Sequence, residues 1–160
     1  MRLLHAGLIV MLSVTLLPAP GSAQSYYRAV LDGAQETPPN NSPGHGIACF
    51  CLEGDGMLYY QISYFGLWGV ETRSHIHGPA PPGVSARYLF LLDMGNPKCG
   101  GVGPLTPVQI GYLNDSLLYV NIHTPVVSHG EIRGQIVPFD KTCTVPVRNT
   151  TWGAIKALYR

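Results

Sequence analysis

The sequence predicts an all-β chain: an antiparallel β-sandwich or Greek key, with a short C-terminal helix. Three observations predict it. Charged residues make up only 12% of the chain, while 19 Gly and 14 Pro punctuate it, a composition that suits many short strands joined by tight turns. About eight apolar segments recur at short, even spacing without a helical period. The clearest, Met57 to Phe65, alternates Leu58, Tyr60, Ile62 and Tyr64 with Tyr59, Gln61 and Ser63, the period of two that a half-buried strand requires.

The elements follow in order. Residues 1–23 read as a secretory signal peptide: a basic start at Arg2, an apolar run from Leu3 to Leu17, and the small residues Gly21-Ser22-Ala23 at the cleavage end. Their removal leaves residues 24–160, enough for one domain with its own core. Without Arg2, the remaining Lys and Arg balance the nine Asp and Glu, so the chain has no electrostatic footprint for nucleic acid or an anionic membrane. No later stretch is apolar enough to form an integral membrane segment. Residues 24–139 form the β domain. Tyr26–Leu31 is a strand, 34–46 a loop, Ile47–Leu52 a strand, and Glu53-Gly54-Asp55-Gly56 a hairpin turn into Met57–Phe65. Strands follow at Thr72–His77 and at Ala86–Leu92, the latter apolar enough to be central. Asp93–Pro104 reads as a Gly/Pro-rich loop, Val108–Leu113 and Leu117–His123 as strands, and Glu131–Val137 as the last strand. Residues 140–150 form a linker. In 151–160, Trp152, Ile155, Leu158 and Tyr159 make one apolar stripe of a short helix, a terminal element either packed on the domain or detachable.

Four cysteines, Cys49, Cys51, Cys99 and Cys143, suggest two disulfides in an exported chain. Cys49 and Cys51 share a strand face about 7 Å apart, too far to bridge each other. Each is expected to reach a distant partner, one Cys99 and the other Cys143, with the pairing open. A Cys-x-Cys metal or redox site is the rival, and no histidine stands at a convincing spacing for it.

Side-chain alternation sorts the polar residues. Ile76 faces one way and His75 and His77 the other. Leu118, Val120 and Ile122 oppose Tyr119, Asn121 and His123. Ile132 and Ile136 oppose Glu131, Arg133 and Gln135. If these strands are neighbours, His75, His77, His123, Asn121, Glu131 and Arg133 form one polar cluster.

The stretches "LDGAQETPP", "SHIHGPA" and "YVNIHTPVVSHGEIRGQI" resemble the CHRD domain, named for its occurrence in chordin and common in secreted bacterial proteins. The resemblance runs from about Tyr26 to Pro138. Its matching positions are Gly33, Glu36, Pro38, His75, His77, Gly78, Asn121, His123, Gly130, Glu131, Arg133 and Gly134. It implies a fold and a residue set, and no catalytic chemistry.

The polar cluster admits three readings. His-x-His on a strand puts both imidazoles on one face, and His123 can complete a facial set for copper or zinc. The pair and the sandwich are loosely similar to copper/zinc superoxide dismutases, although no His-rich zinc loop lies between Gly78 and Leu105; His45 and His129 are spare ligands in loops. A hydrogen-bonded lattice is the second reading, with Arg133 on Glu131 or on carbonyls and the histidines on carbonyls of the Pro-rich loop. A surface for an extracellular protein or glycan, aided by Tyr59, Trp68 and Tyr119, is the third. No Gly-x-Ser-x-Gly elbow, Walker loop or Rossmann fingerprint occurs. Ser74 and His75 point to opposite faces, so they make no catalytic pair. The expectation is therefore a secreted or periplasmic, non-enzymatic binding or structural module of immunoglobulin-like or superoxide-dismutase-like architecture, with a copper- or zinc-binding protein as the alternative.

Overall fold

The structure is a computed structural model that describes residues 24–141. The expected signal peptide, Cys143, the rest of the expected linker and the expected tail helix lie outside these residues. The described chain is all-β apart from one short helix and one helical turn. Strands β1 (Ser25–Asp32), β2 (His45–Leu52), β3 (Leu58–Phe65), β4 (Arg73–His77), β5 (Tyr88–Leu91) and β6 (Lys98–Val102) precede helix α1 (Pro107–Asn114), and β7 (Tyr119–His123), β8 (Ile132–Gln135) and β9 (Val137–Phe139) follow it. All pairings are antiparallel, in the order β5-β4-β7-β8-β1-β2-β3-β6, with β9 also on β1.

The strands thus form one continuous sheet that curls into a nearly closed barrel, where the sequence suggested a two-layer sandwich. Its filling is aliphatic and aromatic: Leu31, Phe50, Leu58, Tyr60, Ile62, Ile76, Val120, Ile122 and Ile132 are buried. The alternation read in Met57–Phe65 is realised in β3 from Leu58 to Ser63, which switch regularly between buried and half-buried; Tyr64 is only half-buried. The β2–β3 turn also forms as expected, with Glu53 N donating to Met57 O and Gly56 at φ 84°.

Side chains join the two ends of the sheet. Lys98 on β6 donates to Ser74 Oγ on β4 (2.6 Å) and forms an ion pair with Glu71. Tyr64 OH donates to the same carboxylate at 2.8 Å. Burying the Lys98 ammonium is tolerable only with such partners.

Four expectations are corrected. Val108–Leu113 is not a strand. It belongs to α1, started by a Thr106–Gln109 capping box with Pro107 in the first turn; the cap and the pre-set proline φ outweigh the apolar alternation. Asp93–Pro104 is not all loop, because it contains β6. Gly100 and Gly101 sit there where a Cβ would collide with the Tyr60 and Tyr59 side chains, and the glycines erase the alternation that marks a strand. Ala86–Leu92 is not central: β5 ends the sheet, with Tyr88 and Leu91 exposed.

The fourth correction concerns the cysteines. Cys51 and Cys99 are free thiols, so no bridge runs from β2 to Cys99. Gln61 on β3 stands opposite Cys49 on one side and Cys99 on the other. The two cysteines are therefore two strand spacings apart, roughly 9.5 Å, beyond disulfide reach.

Candidate functional site

Strands β4, β7 and β8 bring the polar residues into rows. Arg73 pairs with His123, His75 with Asn121 and His77 with Tyr119, while Asn121 pairs with Arg133 and Tyr119 with Gln135. The alternation that sends Ile76, Val120 and Ile122 into the barrel sends these side chains to the reverse side. Most of that side is covered. Segments 33–44, 78–87 and 124–131 reach over it, and His75, Asn121, His123, Glu131 and Arg133 are all buried.

The three imidazoles meet. His75 Nδ1 lies 3.2 Å from His123 Nε2, and one nitrogen from each of His75, His77 and His123 falls within 4.8 Å of the others. Backbone carbonyls fix two of the rings: His77 Nδ1 bonds Ala86 O and His123 Nδ1 bonds Ser128 O, both at 2.9 Å. A carbonyl only accepts, so each Nδ1 carries the proton and each Nε2 presents a lone pair. His77 Nε2 is buried and has no hydrogen-bond partner. Aromatic rings flank the group, with Tyr88 stacked on His75 at 4.8 Å and Tyr119 on His77 at 4.9 Å.

Electrostatics keep the rings neutral. Burial first, and His123 and His77 next, push His75 down to about 4. Burial likewise lowers His77 and His123, against the carbonyl bonds that favour their charged forms. Neutral imidazole is the form that ligates a metal.

Arg133 and Glu131 lie in the same buried layer but serve different loops. The Arg133 guanidinium donates to Thr37 Oγ1, Val84 O, Pro81 O and Gln135 Oε1, and lies 3.5 Å over the Tyr119 ring. The Glu131 carboxylate accepts from Ser42 Oγ, Trp68 N and Thr124 Oγ1. The two do not pair. Asn121 donates to Glu36 Oε2 at 3.2 Å rather than pinning the turn after His77. His45 meets Phe65 edge to face at the start of β2, and His129 is an exposed loop residue; neither belongs to the three-ring group.

The sequence model of the CHRD domain matches residues 27–136. The chain belongs to the CHRD domain family. No solved structure matches it. Within this CHRD domain, Glu36 and Arg73 complete the layer around the histidines, and alternation alone did not single them out. Glu36 sits in a loop, where no periodicity applies, although it lies in the early "GAQETPP" stretch. Arg73 is two residues before His75 on the same strand and so faces the same way. No helix among the described residues is long and apolar enough to cross a membrane.

Proposed function

We propose that this CHRD domain is an exported, non-enzymatic module that holds one copper or zinc ion on His75, His77 and His123. The observation that carries this reading is the His77 Nε2 lone pair, buried without a partner beside ring nitrogens of His75 and His123. A buried acceptor left unpaired costs about 1–3 kcal/mol, and an ion would satisfy it. Ligating histidines characteristically donate their other N–H to a carbonyl, as His77 and His123 do. An ion about 2.0–2.1 Å from two nitrogens at a tetrahedral angle holds them about 3.3 Å apart, close to the His75–His123 spacing.

The test is metal analysis of untagged protein after exposure to copper and zinc. One ion per chain, lost in His75→Ala/His77→Ala, supports the reading; wild type that stays empty refutes it. A second reading, a lattice that only ties loops to the sheet, is favoured by the Arg133 and Glu131 contacts with three separate segments, those of Thr37 and Ser42, of Trp68 and of Val84. That lattice requires no ion. The burial of His75, Asn121, His123, Glu131 and Arg133 argues against those residues serving directly as the adhesive face for a protein or glycan.

Export rests on residues 1–23, and a secreted or periplasmic mature chain would begin at Gln24. N-terminal sequencing of protein from the culture medium or periplasm checks this. With Cys51 and Cys99 free, the remaining pair, Cys49 and Cys143, is the one disulfide this reading includes.

A further inference from the structure

The charges around the three rings bear on which ion they would hold. The ligand set contains only neutral imidazoles, with no carboxylate or thiolate among the described residues near enough to join it. The permanent cations beside the rings, among the described residues, are Arg73, opposite His123 in the β4–β7 register, Arg133, over the Tyr119 ring that stacks on His77, and Lys98, which bonds Ser74 next to His75. Lys98 is offset by Glu71, the one ion pair among the described residues. Arg73 and Arg133 have no carboxylate within ion-pair distance there. Arg73 donates to Ser128 O, the same oxygen that orients His123. Glu131, in the segment that follows His123, is occupied by Ser42, Trp68 N and Thr124.

An ion entering this layer keeps its full charge. The cost of moving an ion out of water grows with the square of its charge, so a dication pays about four times as much as a monocation of the same size. Repulsion by Arg73 and Arg133 doubles as well for a dication. Three imidazoles satisfy a monovalent copper ion in trigonal geometry. A divalent zinc or copper ion takes a fourth ligand, which no described side chain supplies and which water would have to provide beside these cations. We infer that the site selects monovalent copper over divalent ions, with Arg73 as the main selecting residue. The inference rests on the three-histidine site proposed above.

The experiment measures the affinities of the untagged mature protein for Cu(I), delivered anaerobically with ascorbate, and for Cu(II) and Zn(II), each against a chromophoric chelator. Wild type is expected to hold one Cu(I) at least tenfold more tightly than either dication. Arg73 is exposed, so Arg73→Gln and Arg73→Glu are expected to fold. Arg73→Gln should tighten dication binding by about tenfold, and Arg73→Glu by more, with Cu(I) affinity changing less in both. Dication binding as tight as Cu(I) in wild type overturns the inference and leaves the three-histidine site standing. A Cu(I) preference that neither variant narrows removes Arg73 as its cause. Failure of wild type to bind any of the three ions overturns both the inference and the site.

Discussion

Glu36 is a single carboxyl whose protonation the surrounding geometry decides. Its Oε2 accepts from Asn121 Nδ2, while its Oε1 and Asn121 Oδ1 are both buried without partners. Both orphan oxygens border one point beside Gly130, 2.5 and 2.6 Å from where a Cβ would stand. Two acceptors cannot satisfy each other, but a proton on Glu36 Oε1 converts the pair into a cyclic acid–amide dimer. Burial pushes this carboxyl up to about 7, against the opposing Thr37 N–H and Arg133. A raised carboxyl binds its proton more tightly folded than unfolded. Its stabilisation is therefore complete below the ordinary value of 4.5, declines as pH rises towards 7, and is flat beyond, a loss of roughly 3 kcal/mol at most. The histidines slope the other way. His75, lowered to about 4, contributes stability that is present above 6.5 and lost as pH falls towards 4. The Glu36→Gln variant carries a permanent amide donor and should lose only the Glu36 slope. Denaturant unfolding of both proteins from pH 5 to pH 8 checks this: the stability difference should swing towards the variant as pH rises. Parallel curves would contradict a protonated Glu36.

At the scale of elements, the closure of the barrel depends on a buried ion pair. The Lys98 and Glu71 side chains are nearly inaccessible, and Lys98 also bonds Ser74 across the gap between the sheet's two ends. Removing one partner strands the other charge, so Lys98→Ala should cost about 3–5 kcal/mol. Lys98→Met with Glu71→Gln removes both charges and should cost much less, which urea unfolding of the two proteins would reveal. Equal losses would mean that the methylene stem, not the charge pair, holds the seam. The same elements show why only part of the fold was legible in the sequence. Strands β3 and β7 alternate core and reverse-face residue types over Leu58–Ser63 and Tyr119–His123, which fixes both their existence and their register. In β6, "KCGGV" has two side chains missing because Tyr59 and Tyr60 occupy their space, so the period vanishes. In α1, Val108, Ile110 and Tyr112 mimic a strand, since only Leu113 of this helix is fully buried and no amphipathic stripe forms. The stronger signal was Thr106-Pro107 with Gln109 three residues after the cap.

For the whole molecule, alternation put the three histidines, Asn121 and Arg133 on one side of the sheet, and the barrel brings their strands together. It could not say that three loops would cover that side, because loop paths depend on hydrogen bonds such as Arg133 to Val84 O and Asn40 Nδ2 to Glu131 O, which have no sequence period. Cysteine counting failed for a related reason: Cys49 and Cys99 have adjacent strand partners but not each other. Thiol titration of the unfolded mature protein should find two reactive cysteines, and four would exclude the Cys49–Cys143 bridge. Melting curves then separate an ion site from a plain lattice. A ligand that binds only the folded state adds about 2.7 kcal/mol at a hundred times its Kd, which in a domain of this size raises the melting temperature on the order of 10 °C. Copper should produce that rise in wild type and none in His77→Ala. If the layer is only architectural, His77→Ala should instead melt well below wild type before any ion is added. The His77 Nε2 atom donates to nothing and accepts nothing in the described structure, so the apo variant should lose little beyond the Ala86 bond and the stacking on Tyr119.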